Sequence, residues 1–264
     1  MSVQTETFRL GIVPYLNAKP LTYALERGDF PQVETVTGVP AELAGALRAG
    51  ELAAALVSSW MLFTDPNLVP VAGLGISARG PVQSVKLFSR VDFTQVRTVA
   101  LDLSSLSSAA LTKILLEKKW GLRPTYINCP PNLDRMLREA DAALLIGDPG
   151  LTPHLRHVQT LVYDVLDLGK EWSEWTGLPF VFALWLAREK WLNTSLPAIL
   201  QAAKERGLAA LSEIAARESQ RLQLPPEVCL HYLRQVINYD FGPREQAGLE
   251  RFQELAREVG LLPS

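Results

Sequence analysis

The stretch Arg9-Leu-Gly-Ile-Val-Pro-Tyr-Leu-Asn-Ala-Lys-Pro20 decides how the rest of the chain is organised. Residues 10–13 suit a short buried strand, and Pro14 ends it. Pro20 suits the first turn of a helix, where its missing N–H costs nothing. Tyr15, Leu16 and Asn17 then occupy a strand-to-helix turn, the part of an α/β sheet that faces ligands. Asn17 offers an amide that donates and accepts with no charge to neutralise. As a plain turn residue it would only tolerate unusual backbone angles.

Outward from this turn, strand and helix patterns alternate. A helix over 20–27 leads to a β-branched strand over 33–39. An amphipathic helix over 40–49 follows, with Gly50 as its stop, and then an apolar strand over 53–57. Ser58 and Ser59 read as the cap of another helix. This β-α-β-α-β order predicts parallel strands joined by right-handed crossovers. The apolar stretch 82–88 carries the chain out of the unit.

The scheme restarts at Thr98: a strand over 99–101, a hydroxyl-rich turn Asp102-Leu-Ser-Ser-Leu-Ser-Ser108, and a helix over 106–119. A strand over 125–127, a short helix over 132–139 and a strand over 142–146 come next, ending in Gly147-Asp148. Residues 180–187 form one more apolar run. The tail reads as helices over 196–217, 226–237 and 243–259. The expected architecture is α/β: two lobes with a cleft between them, able to close about hinges, with the helical tail packed on the first lobe. The first lobe would comprise residues 1–88 plus 184–264 and the second 97–176, with crossings at 86–97 and 176–184.

Bulk properties narrow the function classes. The 264 residues suffice for two modest lobes, and 48% hydrophobic with 20% charged residues is ordinary for a globule. A net charge of -2 predicts neither a nucleic-acid footprint nor a membrane patch. No apolar run is long enough to span a bilayer. Met-Ser-Val-Gln-Thr-Glu-Thr at the N-terminus has no basic segment followed by an apolar one, which points to the cytoplasm. Cys129 and Cys229 form neither a disulfide framework nor a zinc spacing and are expected as buried free thiols.

Several residues have the chemistry to meet a ligand. Ser104, Ser105, Ser107 and Ser108 stand where a strand yields to a helix, and free N–H groups there suit a carboxylate or phosphate. One serine would satisfy a cap; four exceed that need. Ser84 enters the first crossing, where its hydroxyl would meet a cleft ligand or solvent. Asp148, after Gly147, would orient a hydroxyl or cap the helix that follows. Thr176 marks the return crossing. There is no nucleophile elbow, phosphate-cradling loop or dinucleotide fingerprint. His154 and His157 are close in sequence but lack a third ligand, so no metal or cofactor is expected. His231 and the tryptophans, among them Trp172, Trp175 and Trp185, read as structural. No strong protein base stands out, so the chemistry should need little help.

Val13-Pro-Tyr-Leu-Asn-Ala-Lys-Pro20, Leu56-Val-Ser-Ser59, Gly80-Pro-Val-Gln-Ser84, Ser104-Ser-Leu-Ser-Ser108, Ala143-Leu-Leu-Ile-Gly-Asp148 and Asp167-Leu-Gly-Lys-Glu-Trp-Ser-Glu-Trp-Thr-Gly-Leu-Pro-Phe-Val-Phe-Ala183 occur in this order. Together they resemble the chorismate dehydratase family of the futalosine route to menaquinone, whose fold is of the type II periplasmic-binding-protein kind. The resemblance implies loss of water from chorismate to give 3-[(1-carboxyvinyl)oxy]benzoate. It carries over to Asn17, Ser84, Ser105, Ser108, Gly147, Asp148 and Thr176. Ser107 stands where the family pattern has Thr, which keeps the hydroxyl. Pro14 stands where Ser is usual, which removes a hydroxyl and an N–H.

The expected partner is therefore a small dicarboxylate, chorismate, with no nucleic acid and no membrane; oligomeric state is not readable. Asn17 and Ser84 are the expected catalytic pair. Tyr15, Leu16, Ser58, Ser59, Ser105, Ser107, Ser108, Gly147, Asp148 and Thr176 are the expected binding residues. Three rival readings remain: a solute-binding receptor, the sibling enzyme that makes 1,4-dihydroxy-6-naphthoate, and the effector half of a transcription regulator. The block Trp175-Thr-Gly-Leu-Pro-Phe180 favours the dehydratase over the sibling, and no helix-turn-helix precedes residue 8.

Overall fold

A computed structural model describes residues 7–102, 104–152 and 164–263. The chain opens with β1 (Phe8–Ile12), α1 (Lys19–Glu26), β2 (Val33–Thr37), α2 (Pro40–Ala49), β3 (Ala54–Ser58), α3 (Met61–Thr64) and β4 (Leu68–Ala78). It continues with β5 (Lys86–Ser89), β6 (Thr98–Leu101), α4 (Leu106–Ile114), β7 (Thr125–Asn128), α5 (Leu133–Glu139), β8 (Ala142–Leu145), α6 (Gly147–Leu151), β9 (Asp164–Asp167) and α7 (Leu168–Thr176). β10 (Phe180–Arg188), α8 (Leu196–Ala209), α9 (Leu211–Leu222), α10 (Pro226–His231) and α11 (Pro243–Glu258) complete it.

Two compact units result. The first holds residues up to Ile76, Ala183–Gln235 and Tyr239–Phe241; the second holds Ser77–Phe182, Val236–Asn238 and the chain from Gly242 onward. The first sheet has the order β2-β1-β3-β10-β4 and the second β7-β6-β8-β5-β9. β1 pairs in parallel with both β2 and β3, as the βαβ order predicts. β10 returns antiparallel to β3, with Ala183 opposite Ser58. In the second sheet β6 pairs in parallel with β7 and β8, whereas β5 runs antiparallel to β8 and β9.

Each sheet is central in its unit because its inner strands are apolar on both faces. Every residue of β3 and of β8 is buried. In the second unit, Phe88, Ala100, Ala143 and Leu145 of the sheet pack against Leu133, Met136 and Leu137 on α5. In the first, α1 lies against α8, and the Tyr23 hydroxyl donates to Glu213 at 2.6 Å. No helix among the described residues is long and apolar enough to cross a membrane.

Two expectations change. Residues 86–97, expected as a crossing, form β5 and the turn after it inside the second unit; the chain leaves the first unit after Ile76. The chain passes back to the first unit between Phe182 and Ala183. The helical tail also divides. α8, α9 and α10 belong to the first unit, but α11 belongs to the second. The cause is aromatic: fully buried Phe252 meets Trp172 at 6.2 Å and Phe180 at 4.8 Å between ring centroids, edge to face. The Trp172 indole N–H is satisfied by the Pro179 carbonyl at 3.2 Å. Lys118 closes the same side with Glu258 at 2.7 Å.

Candidate functional site

In the first unit the ends of β1 and β3 lie side by side, because the two strands are parallel neighbours. After β1 the chain makes a 3-10 turn, Leu16–Ala18, that runs straight into α1; Tyr15 precedes it in extended conformation. Leu16 is fully buried and anchors the turn. Asn17 is half-buried, and its Oδ1 is buried with no hydrogen-bond partner among the described residues. A buried acceptor left open costs roughly 1–3 kcal/mol. Lys19, two residues on, does not donate to it: its ammonium is held by Glu26 at 2.8 Å, which also accepts from the Thr22 hydroxyl at 2.6 Å. Ser58 ends β3, and its Oγ accepts from Trp60 N–H at 3.4 Å. The expected cap at Ser58-Ser59 is displaced, since α3 begins at Met61 with Trp60 before it and no side-chain cap.

In the second unit β6 and β8 are parallel and β5 runs back alongside β8, so the end of β6, the end of β8 and the start of β5 share one edge. Ser105 caps α4, its Oγ accepting from Ser108 N–H at 3.3 Å and lying 2.9 Å from the Ser108 Oγ and 3.3 Å from the Ser107 Oγ. The Ser107 hydroxyl donates to the Phe182 carbonyl at 2.8 Å. The buried Ser105 and Ser108 hydroxyls and the helix's first-turn amides thus form a neutral end with partial positive charge. Asp102, at the end of β6 and 3% exposed, accepts from Ser104 N–H at 2.9 Å. Burial pushes its carboxyl above the ordinary range, with Ser104 pulling the other way.

Ser84 is fully buried two residues before β5. Its carbonyl oxygen lies 2.2 Å from where a Cβ on Gly150 would stand, so the glycine in α6 is what allows α6 to seat against it. Gly147-Asp148 opens α6 at the same edge, and Asp148 is buried. Asp148 does not cap the helix; Ile146 precedes it, without a side-chain cap. Val82 to Ser84 forms a three-residue turn in which Ser84 N–H donates to the Val82 carbonyl at 2.8 Å. Its central residue, Gln83, has φ 63°. This is the strained hand of the γ-turn, costing a non-glycine residue roughly 1–3 kcal/mol.

The structure therefore brings Ser84, Ser105, Ser107, Ser108, Gly147 and Asp148 to one edge of the second sheet, and Tyr15, Leu16, Asn17, Ser58 and Ser59 to one edge of the first. Thr176 ends α7, about 12 Å along the helix from the β9 end. Its hydroxyl serves the turn there, donating to the Trp172 carbonyl at 2.9 Å and accepting from Leu178 N–H at 3.2 Å. Lys86, opposite Asp167 in the β5–β9 register, is a half-buried cation that the sequence reading passed over; burial lowers its ammonium pKa while Asp167 raises it.

His154 and His157 lie outside the described residues. Among the described residues no group of three or more His, Cys, Asp and Glu side chains is placed to hold a metal. Cys129 and Cys229 are buried thiols, as expected.

The family model described as menaquinone biosynthesis matches residues 8–258. Chorismate dehydratase of Thermus thermophilus is 34% identical over 261 residues, spanning 93% of this chain and 93% of that protein. Chorismate dehydratase of Campylobacter jejuni is 26% identical over 256 residues, spanning 95% and 98%. The periplasmic aliphatic sulphonate-binding protein of Escherichia coli superposes with a TM-score of 0.68 over 98% of this chain and 89% of that one; at 19% identity it speaks for the fold alone. A type II periplasmic-binding-protein-like fold that carries this family pattern almost from end to end makes the chain a member of the menaquinone-biosynthesis family, on its chorismate dehydratase branch.

Proposed function

We propose that the protein removes water from chorismate to give 3-[(1-carboxyvinyl)oxy]benzoate, with Asn17 at the reacting centre. The observation that carries this reading is the buried, unpartnered Oδ1 of Asn17 at the β1–α1 turn. The leaving hydroxyl of the substrate is the donor it awaits. The reaction breaks the C–H bond at the ether-bearing ring carbon and the C–O bond of the neighbouring alcohol. The C–H electron pair becomes ring π density as hydroxide leaves with a proton as water. The product is aromatic, so the downhill pull resides in the substrate.

The carbanion that forms is vinylogous to the ring carboxylate, and donors around that carboxylate stabilise the developing charge. Ser105, Ser108 and the first-turn amides of α4 supply them. Ser107, whose proton goes to the Phe182 carbonyl, ties this turn to β10, and Asp148 flanks the same edge. Ser84 positions the reacting carbon. The substrate's own enolpyruvyl carboxylate takes the proton and passes it to the departing hydroxyl. The cytoplasm is the compartment this reading implies, since an enzyme of quinone synthesis meets intracellular metabolites.

The test mixes purified protein with chorismate, follows loss of the diene absorbance and identifies the product. Asn17→Ala is expected to abolish turnover with an unchanged circular dichroism spectrum. Binding without turnover would instead indicate a receptor, and untouched chorismate the sibling enzyme. Near-normal turnover by a folded Asn17→Ala variant removes Asn17 from the mechanism.

A further inference from the structure

The Gln83 turn is held from outside. Asp167, at the end of β9, accepts Val82 N–H on Oδ1 at 2.9 Å and Gln83 N–H on Oδ2 at 2.7 Å, across more than 80 residues of sequence. Its Oδ1 also accepts Lys170 N–H at 3.0 Å and so caps α7. The next residue, Leu168, donates its N–H to the Val85 carbonyl at 3.0 Å, just past Ser84. On the other side the Ser84 carbonyl is pressed against Gly150. Gln83 is one of two non-glycine residues with positive φ among those described; the other, Gln223, is an ordinary helix C-cap. A strained residue persists where its surroundings over-determine it, and such places cluster at functional sites.

We propose that Asp167 is the positioning residue for Ser84: its two oxygens grip consecutive backbone amides, lock Gln83 in the left-handed conformation, and thereby aim the Ser84 hydroxyl at the reacting centre. The proposal rests on the reading of Ser84 given above. It explains a pattern that simple capping does not. A cap needs one oxygen, and here the second is spent on the amide of the one strained residue in the turn. Without the grip, Gln83 relaxes to negative φ and the direction of Ser84 changes with it. Asp167 touches no substrate; it acts through the turn.

The experiment is a double-mutant cycle on the whole protein, with chorismate as substrate and circular dichroism as the check on folding. Asp167→Ala is expected to lower kcat about 10- to 100-fold, as a misplacement of about 1 Å does, with KM changed less than threefold. The Ser84→Ala/Asp167→Ala double variant should be no slower than Ser84→Ala alone, because a hydroxyl that is absent cannot be misaimed. Gln83→Gly placed on Asp167→Ala should recover part of the lost kcat, since glycine adopts positive φ without strain. A loss confined to helix capping would be blind to both of these readouts.

Multiplicative losses in the cycle, no rescue by glycine, or normal kcat in a folded Asp167→Ala variant each overturn the proposal. Should Asp167→Ala not fold, Asp167→Asn enters the same cycle, since it keeps one acceptor and turns the other into a donor facing an N–H. Ser84→Ala separates the two levels. Wild-type turnover by that variant retires the reading of Ser84, whereas slow Ser84→Ala beside normal Asp167→Ala retires the positioning role alone.

Discussion

Replacing Gly207 by alanine sets two effects of opposite sign against each other. Gly207 lies within α8, where alanine is favoured over glycine by roughly 1 kcal/mol. A Cβ there would stand 1.9 Å from the Pro20 carbonyl oxygen, 2.7 Å from its carbon and 2.9 Å from its Cα. Side-chain carbons do not approach other heavy atoms below 3.0 Å, so α1 and α8 must part by about 1.1 Å. The atoms in the way are backbone, with no flexible tip to swing aside. Overpacking costs typically 1–3 kcal/mol, and rigid neighbours put this case near 3. The clash wins. The net loss is about 2 kcal/mol, or a fall of roughly 4–8 °C in Tm for a chain of this size. Pro20 lies in the first turn of α1, three residues after Asn17, so the displacement also reaches the turn proposed to carry the reacting centre and lowers kcat by up to about 100-fold. Gly45→Ala on the exposed face of α2 is the matched control: nothing lies within 4 Å of its Cβ, so the propensity gain stands alone and Tm rises by about 2–4 °C with normal kcat. Thermal melts and steady-state kinetics on chorismate read both variants. A Gly207→Ala protein that melts at or above wild type refutes the packing argument, and a lowered Tm with normal kcat refutes the link from α1 to Asn17.

Truncating Ser107 and Ser108 together should raise KM for chorismate by about tenfold or more, the worth of one hydrogen bond to a charged group, and an unchanged KM rejects their assignment. Asp102→Asn keeps the oxygen that accepts Ser104 N–H and removes the buried charge. Burial raises the folded carboxyl pKa, so the folded state holds its proton more tightly than the unfolded one. Wild-type stability should then fall as pH rises from the ordinary carboxyl value of about 4 through the raised one, and this drop should be missing from the variant. Parallel curves of Tm against pH would contradict the sign. Phe252→Ala empties the slot between Trp172 and Phe180 and should cost about 3–5 kcal/mol, lowering Tm by roughly 10 °C; a change of under 2 °C would show that α11 is not anchored there.

Much of the fold is legible in local pattern, and what is not has identifiable causes. β1, β3, β6, β8 and β10 are largely apolar runs, α2 carries its own start and stop residues, and α5 its own cap, Asn132. β4 is not legible because Pro70, Gly73 and Gly75 interrupt it like a loop. Gly75 is there so that β10 can approach: a Cβ would meet Leu184 at 2.7 Å and the Ala183 carbonyl at 3.1 Å. β9 is largely exposed and offers no apolar run. The aromatic block over 167–183 is conspicuous in sequence, yet the part played by Asp167 is not, since its partners lie at Val82 and Gln83.

By itself the sequence determined that strands and helices alternate, that a neutral amide sits on the first strand-to-helix turn, and that hydroxyls crowd the start of α4, because periodicity, capping and turn chemistry are local. Only the tertiary structure decided that β5 belongs to the second sheet, that α11 packs on Trp172 and Phe180, that Asn17 keeps an open acceptor, and that a carboxylate at 167 grips the turn before Ser84. Those facts depend on which distant surfaces meet, and on which buried polar atoms find partners there, and neither is written in the spacing of neighbouring residues.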